Sequence, residues 1–321
     1  MKLGVLTVAV QNMTLEEAVK YLSAQGVQTL ELGTGGYTNK CHLDPDVYLN
    51  DDKKIKEVQD LLKAHNMTIC ALSCHGNAVH PNKELAAAYN ETYEKTVLLA
   101  EKMGIDTVVT FSGCPGGSKD DKMPNWVTCA WPEDYLQILD YQWNEVLIPY
   151  WKKAAAFAKE HNVHKIAFEM HPGFCVYNPY TLLKLRAAVG DIIGANFDPS
   201  HLVWQGMDPV EAIKELKGAI YHFHAKDTRI DDANTAKNGV LDSRHYGNIL
   251  ERSWVFRTIG YGHDYKYWKD MISTLKVCGY DGAISIEHED ALMSPTEGLE
   301  KAIAFLKDVL IFEQAGEMWW A

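Results

Sequence analysis

The sequence has no apolar run near the roughly 18 residues that a membrane-spanning helix needs, and no Pro- or Ser-rich stretch that would separate two halves. It is also short of basic charge, with 31 lysines and arginines against 43 acidic residues and a formal charge of −12. A chain of that sign gains nothing from phosphate counterion release, so neither nucleic acid nor an anionic membrane is an expected partner. Cysteine is scarce: seven residues, an odd number without C-x-x-C spacing, are read as reduced, buried packing thiols of a cytoplasmic protein. A signal peptide is not expected either. Residues 3–10 are short and enter a helix through Thr14-x-x-Glu17, a capping-box spacing, so they read as a first strand.

What is present is a chain of 321 residues, 47% hydrophobic and 23% charged, with repeated helix punctuation. Gly26, Asn66, Gly104, Asn162, Gly190, Gly218 and Gly279 each follow a helix-like segment and precede an apolar run, as left-handed helix stops do. Those runs cover 27–32, 67–72, 105–111, 163–168, 193–197, 219–223 and 283–286, and with 3–10 they make eight strands. Asn178-Pro179, Asp208-Pro209 and Ser294-Pro295 mark helix starts, and Glu211 and Glu297 are placed to complete capping boxes. Alternation of this kind predicts one (β/α)8 TIM barrel over residues 1–321, with a doubly wound sheet as the rival. The stops are farthest apart in the fourth and seventh units, 58 and 61 residues, against roughly 31 per unit of a typical barrel. Long insertions are therefore expected after the fourth and seventh strands, on the face where barrels carry their chemistry.

Four predicted strands end on groups that bind divalent metals: Phe168-Glu169, Phe197-Asp198, Phe223-His224 and Ile286-Glu287. Strand alternation sends the apolar member of each pair toward the helices and Glu169, Asp198, His224 and Glu287 toward a common centre. Any one of them reads as a surface or capping group. Three converging carboxylates, however, would repel and be costly to desolvate without a cation. One divalent ion is therefore expected, Mn²⁺ first, with Mg²⁺, Co²⁺ or Zn²⁺ as alternatives, because three oxygens and one nitrogen without thiolate favour harder ions. His201 lies one turn beyond Asp198, Lys226 shares the inward parity of His224, His75 ends the third strand and Glu31 sits near the end of the second. For His75, His171 and His222 a supporting hydrogen-bonded role competes with substrate contact.

These motifs, with Ser73-Cys74-His75-Gly76-Asn77, His222-Phe223-His224-Ala225-Lys226-Asp227 and Gly260-Tyr261-Gly262, resemble the xylose isomerase-like barrel superfamily, in its sugar isomerase and epimerase branch. The resemblance to ketose 3-epimerases implies that Glu169, Asp198, His224 and Glu287 hold one metal and that Glu169 and Glu287 act as acid and base. It also implies that His201 and an arginine of the β7α7 loop bind sugar oxygens. Arg257 is the first choice for that arginine and Arg229 the alternative. The fourth strand ends Thr110-Phe111-Ser112-Gly113, where the DNA-repair branch would supply a histidine, which speaks against DNA cleavage.

A metal-dependent isomerase or epimerase, taking a proton next to a carbonyl of a neutral sugar, is the expected function. A lyase that eliminates from a 3-keto-glycoside and a non-catalytic sugar-binding subunit are the alternatives. Trp126 and Trp254, in the two insertions, are read either as sugar platforms or as lid packing. A small-molecule sugar and a second copy of the chain are the expected partners. Trp319-Trp320 is expected to dock on the barrel or on a neighbouring subunit, since an exposed pair would be an apolar liability.

Overall fold

All seven stop residues have positive φ, and Gly190, at φ 124° and ψ 176°, sits where a Cβ would be strongly disfavoured. The computed structural model describes residues 1–321. Ten strands follow one another: β1 (Lys2–Leu6), β2 (Thr29–Gly33), β3 (Thr68–Ser73), β4 (Thr107–Thr110), β5 (Lys165–Glu169), β6 (Ile193–Phe197), β7 (Ile220–Ala225), β8 (Asp227–Ile230), β9 (Trp254–Arg257) and β10 (Ala283–Ile286). All but β8 and β9 close into a parallel barrel in the order β1-β10-β7-β6-β5-β4-β3-β2, so the fold is the (β/α)8 TIM barrel and not a doubly wound sheet. The inward and outward parities follow the expectation. Phe168, Phe197, Phe223 and Ile286 are fully buried in the apolar layer beneath the helices, where Trp151 meets Phe168 edge-on at 4.4 Å and Phe197 stacks on Phe223 at 5.5 Å.

Several local expectations are corrected. The first strand stops at Leu6, and Thr7–Val10 winds into a 3₁₀ turn. Its partner β10 pairs only as far as Val5, which leaves the later residues without a ladder on that side. Thr14 and Glu17 form the reciprocal box, but Glu211 and Glu297 do not. Each is drawn to a lysine one turn along its own helix, Lys214 at 2.6 Å and Lys301 at 2.7 Å. A second box forms instead at Asn178 and Thr181. All seven cysteines are free thiols, but only Cys74, Cys114 and Cys175 are buried, and Cys41 and Cys129 are exposed. Trp319 and Trp320 do not dock on the barrel: they pack edge-to-face on each other, 87% and 69% exposed.

After β4, residues 111–133 run without regular structure to the helix Asp134–Asp140. After β7 the chain folds back as the antiparallel hairpin β8–β9, with the helix Asp232–Asn238 between its strands. Asp227 ties this strap down. Its buried carboxylate accepts the backbone N–H groups of Thr228, Gly260, Gly262 and His263, together with ring N–H donors of His263 and Trp268. No helix is long and apolar enough to cross a membrane.

Candidate metal centre

Local sequence around Asp198 shows how the centre is built. Asp198 caps the short helix Pro199–Val203, with Oδ1 accepting the Ser200 N–H at 2.8 Å and Pro199 in the first turn, where no N–H is required. One oxygen is thus committed to the cap. The same turn carries His201 back over β5, its Nε2 3.1 Å from Glu169 Oε1 and 3.3 Å from Asp198 Oδ2.

Glu169 closes β5, and its Oε2 is met by His75 Nε2 at 3.0 Å and by the Asn196 amide at 3.3 Å. Glu287 follows β10, where its N–H donates to the Ala225 carbonyl at 3.2 Å and prolongs the ladder by one residue. His224, on β7, places Nδ1 3.1 Å from Glu169 Oε2 and 3.2 Å from Glu287 Oε2. One ligand-type atom from each of Glu169, Asp198, His224 and Glu287 lies within 4.8 Å of the others.

Two polar atoms at this centre, Asp198 Oδ2 and His224 Nδ1, are buried and make no hydrogen bond. His224 Nε2 faces both oxygens of Glu31, at 2.9 and 3.0 Å, so that nitrogen carries the ring proton and Nδ1 of the neutral ring presents a lone pair to carboxylate oxygens. Lone pair against lone pair is unfavourable, so either a metal cation or, with no ion bound, a second ring proton stands between them. The charge balance agrees: three buried carboxylates, those of Glu31, Glu169 and Asp198, and the partly exposed Glu287 converge with one ammonium, that of Lys226. The residues therefore fit a divalent ion held by three oxygens and one nitrogen.

The ion-free electrostatics show the same tension. Burial and the neighbouring Glu169 and Glu287 push the Asp198 carboxyl up to about 7, against the pull of Lys226. Burial opposes charge on His224 as well, but Glu31 and Glu287 outweigh it and raise the imidazole well above its usual range. Burial would also raise the carboxyl of Glu287, which Lys226 nonetheless holds down at about 2.

Lys226 joins the cluster directly, with Nζ 2.8 Å from Glu287 Oε2, 3.1 Å from Asp198 Oδ2 and 3.2 Å from Glu289 Oε2. Arg257 lies on β9 and donates Nε to Asp290 Oδ2 at 3.1 Å, in the wall of a cavity beside the cluster. Arg229 points out to solvent. Trp126 is not brought to the centre. It sits edge-on to Tyr177 at 5.4 Å in a separate pocket with Trp143, Tyr180 and Lys184. Trp254 is lid packing, stacked on Trp204 at 4.6 Å.

Glu31 has a larger role than its sequence position indicated. It is fully buried and also accepts from His222 Nε2 at 2.7 Å, from Ser285 at 2.8 Å and from Ser73. A register shift between Leu30 and Glu31 marks its strand, as bulges do where a side chain is re-aimed. The legible signal was a carboxylate between two leucines of a strand buried throughout.

A closed (β/α)8 barrel with this set at the C-terminal ends of its strands defines a class of barrels whose rim carries residues able to hold a divalent metal. Residues 19–309 match the family described as xylose isomerase-like TIM barrel, and the chain belongs to that family. The uncharacterized protein YfiH of Bacillus subtilis (strain 168) is 41% identical over 312 residues, 97% of this chain and 99% of that one. Inosose dehydratase of Clostridium perfringens is 27% identical over 161 residues, about half of each chain (49% and 51%). Among solved structures, the probable 3-DHS dehydratase AsbF of Bacillus anthracis and the zinc-binding IolI protein each superpose with a TM-score of 0.66. They share 16% and 18% identity with this chain, cover 96% and 97% of it, and are themselves covered to 99% and 98%. At that identity the likeness speaks to the fold alone.

Proposed function

We propose that this protein is a divalent-metal-dependent enzyme that takes a proton from the carbon next to a carbonyl of a neutral sugar or keto-sugar and delivers one either to the neighbouring carbon, as an isomerase, or to the opposite face of the same carbon, as an epimerase. The observation that carries the reading is the pair of carboxylates, Glu169 and Glu287, on either side of Asp198 and His224 within one 4.8 Å cluster. A bound divalent cation supplies Lewis-acid polarisation of the substrate carbonyl, which acidifies the neighbouring C–H. Glu169, oriented by His75, His201 and Asn196, is positioned to accept that proton, and Glu287 stands across the centre to deliver one. His201 is placed to hold a substrate oxygen. The acidic run Glu287-His288-Glu289-Asp290 favours an uncharged substrate over a phosphorylated one.

Lys226 favours a second reading. An ammonium 2.8 Å from Glu287 is a proton source, and it suits elimination: a carboxylate takes the α-proton, the C–O bond at the β-carbon breaks, and the departing oxygen takes its proton from Lys226. The carboxylic acid so formed releases its proton and the neutral amine takes one up, so that both groups are restored with no net proton consumed. The name of the inosose dehydratase relative agrees with this outcome.

The test uses Mn²⁺-loaded protein with a panel of ketoses, inososes and 3-keto-glycosides in D₂O, followed by NMR and mass spectrometry. Wild-type protein is expected to exchange an α-proton, and Glu169→Gln and Glu287→Gln to lose exchange even at Mn²⁺ concentrations that restore full metal occupancy. Exchange at the wild-type rate in both variants sinks the proposal, whereas loss of water or an aglycone selects the lyase. A preparation that stays metal-free when offered Mn²⁺ returns the chain to a non-catalytic sugar binder.

A further inference from the structure

Beside the metal cluster lies a cavity of about 540 Å³ between the β8–β9 hairpin and the loop after β10, within the range of pockets that hold ligands larger than one sugar ring. Its inner wall is shared with the cluster. Phe256 lies under the Lys226 ammonium, 4.7 Å from ring centre to Nζ, and His171 packs on His201 at 4.0 Å, so anything filling the cavity abuts whatever is held at Glu169 and Glu287. The rest of the wall is mostly apolar, with Tyr246 stacked parallel to Phe256 at 5.9 Å and Ile249 and Leu292 beside them.

The polar groups here do not call for a charged or heavily hydroxylated occupant. Arg257 is already paired with Asp290, whose two oxygens also accept the N–H groups of Thr258 and Leu292 at 2.8 Å each. Glu289 faces Lys226. A phosphate would meet two carboxylates and a neutralised guanidinium, and a second sugar ring would find few free partners for its hydroxyls.

We propose that this cavity is an aglycone subsite: the substrate is a glycoside whose sugar part lies at the metal cluster and whose aromatic or apolar part packs against the wall formed by Tyr246 and Phe256. The inference rests on the proposed sugar chemistry for its orientation. The subsite itself is read by binding, independently of turnover.

The experiment titrates Mn²⁺-loaded protein by calorimetry with matched methyl, phenyl and 2-naphthyl β-D-glucosides and with cellobiose. The aryl glucosides are expected to bind about ten-fold or more tightly than the methyl glucoside, as burial of an aromatic ring predicts. Ala291→Trp, a surface change at the cavity mouth, is expected to bring the aryl-to-methyl ratio close to one without altering Mn²⁺ uptake. Equal affinities for methyl and aryl glucosides, tighter binding of cellobiose than of the aryl compounds, or an aryl preference that survives Ala291→Trp would each overturn the subsite. α-Proton exchange on a free ketose without any aryl preference would leave the proposed function standing and remove this inference alone. An aryl preference without exchange on any substrate would do the reverse.

Discussion

Glu31 and His224 form a buried pair in which both carboxylate oxygens lie within 3.0 Å of one imidazole nitrogen, leaving the other nitrogen for the metal centre. The pair fixes the ring tautomer and its aim. Glu31→Gln is therefore expected to weaken Mn²⁺ binding by about 10- to 100-fold, the usual effect of losing a ligand's hydrogen-bonded support. Calorimetry of the metal titration measures it, and circular dichroism separates the effect from misfolding. Unchanged affinity in a folded variant would show that His224 is oriented without Glu31.

Metal uptake should depend on pH. Without an ion, Asp198 is pushed up to about 7 and His224 is raised well above its ordinary value, so both hold protons below neutrality. An ion must displace those protons. Apparent affinity is expected to rise as pH rises through 7, with proton release visible as a dependence of the titration heat on buffer ionisation enthalpy. An affinity constant from pH 6 to 8 would contradict this.

Lys226→Met separates the two chemical readings. In an epimerase that uses carboxylates alone it should leave α-proton exchange within about ten-fold of wild type. In a lyase it should leave exchange in place yet slow expulsion of the leaving group by about 100-fold or more, as removal of a general acid does. Exchange and product formation, followed together by NMR, discriminate the cases.

Asp227→Asn removes a buried anion that serves six donors. Charge-assisted hydrogen bonds of this kind make the expected cost about 3 kcal/mol. The midpoint of urea unfolding reports the loss. A shift equivalent to under about 0.5 kcal/mol would mean that the strap is held elsewhere.

Deleting residues 318–321 tests the exposed tryptophan pair. No packing on its own barrel is lost, so thermal stability of the isolated chain should not change. The proposed homo-oligomer should dissociate more readily, as read by light scattering at micromolar concentration. Identical masses for full-length and shortened chains would remove the pair from assembly.

Much of the barrel was legible because its signals are local. A Gly or Asn stop needs only its own backbone, and Asp198-Pro199 writes a cap, a ligand-type oxygen and the placement of His201 into four residues. Features set by distant pairing were not legible. The hairpin matches Asp227 with Arg257 across thirty residues without a tight turn, so nothing in the sequence announced that Phe256 would lie under Lys226. Trp126 misled for the same reason, since its loop packs against Tyr177 rather than over the cluster. The strand drawn to Val10 erred because valine and threonine favour a strand only where a neighbour can pair with it.

Lys226 and the root of the hairpin are adjacent in the chain, and Asp227 fastens that root to Gly260, Gly262 and His263. The two ends of the strap are therefore anchored in common, while residues 231–253 hang from them as a replaceable module. Exchanging that module between relatives would exchange the Tyr246 and Ile249 part of the cavity wall and leave every ligand-type residue of the metal centre untouched, a route by which one barrel could be retuned to new substrates in a single recombination.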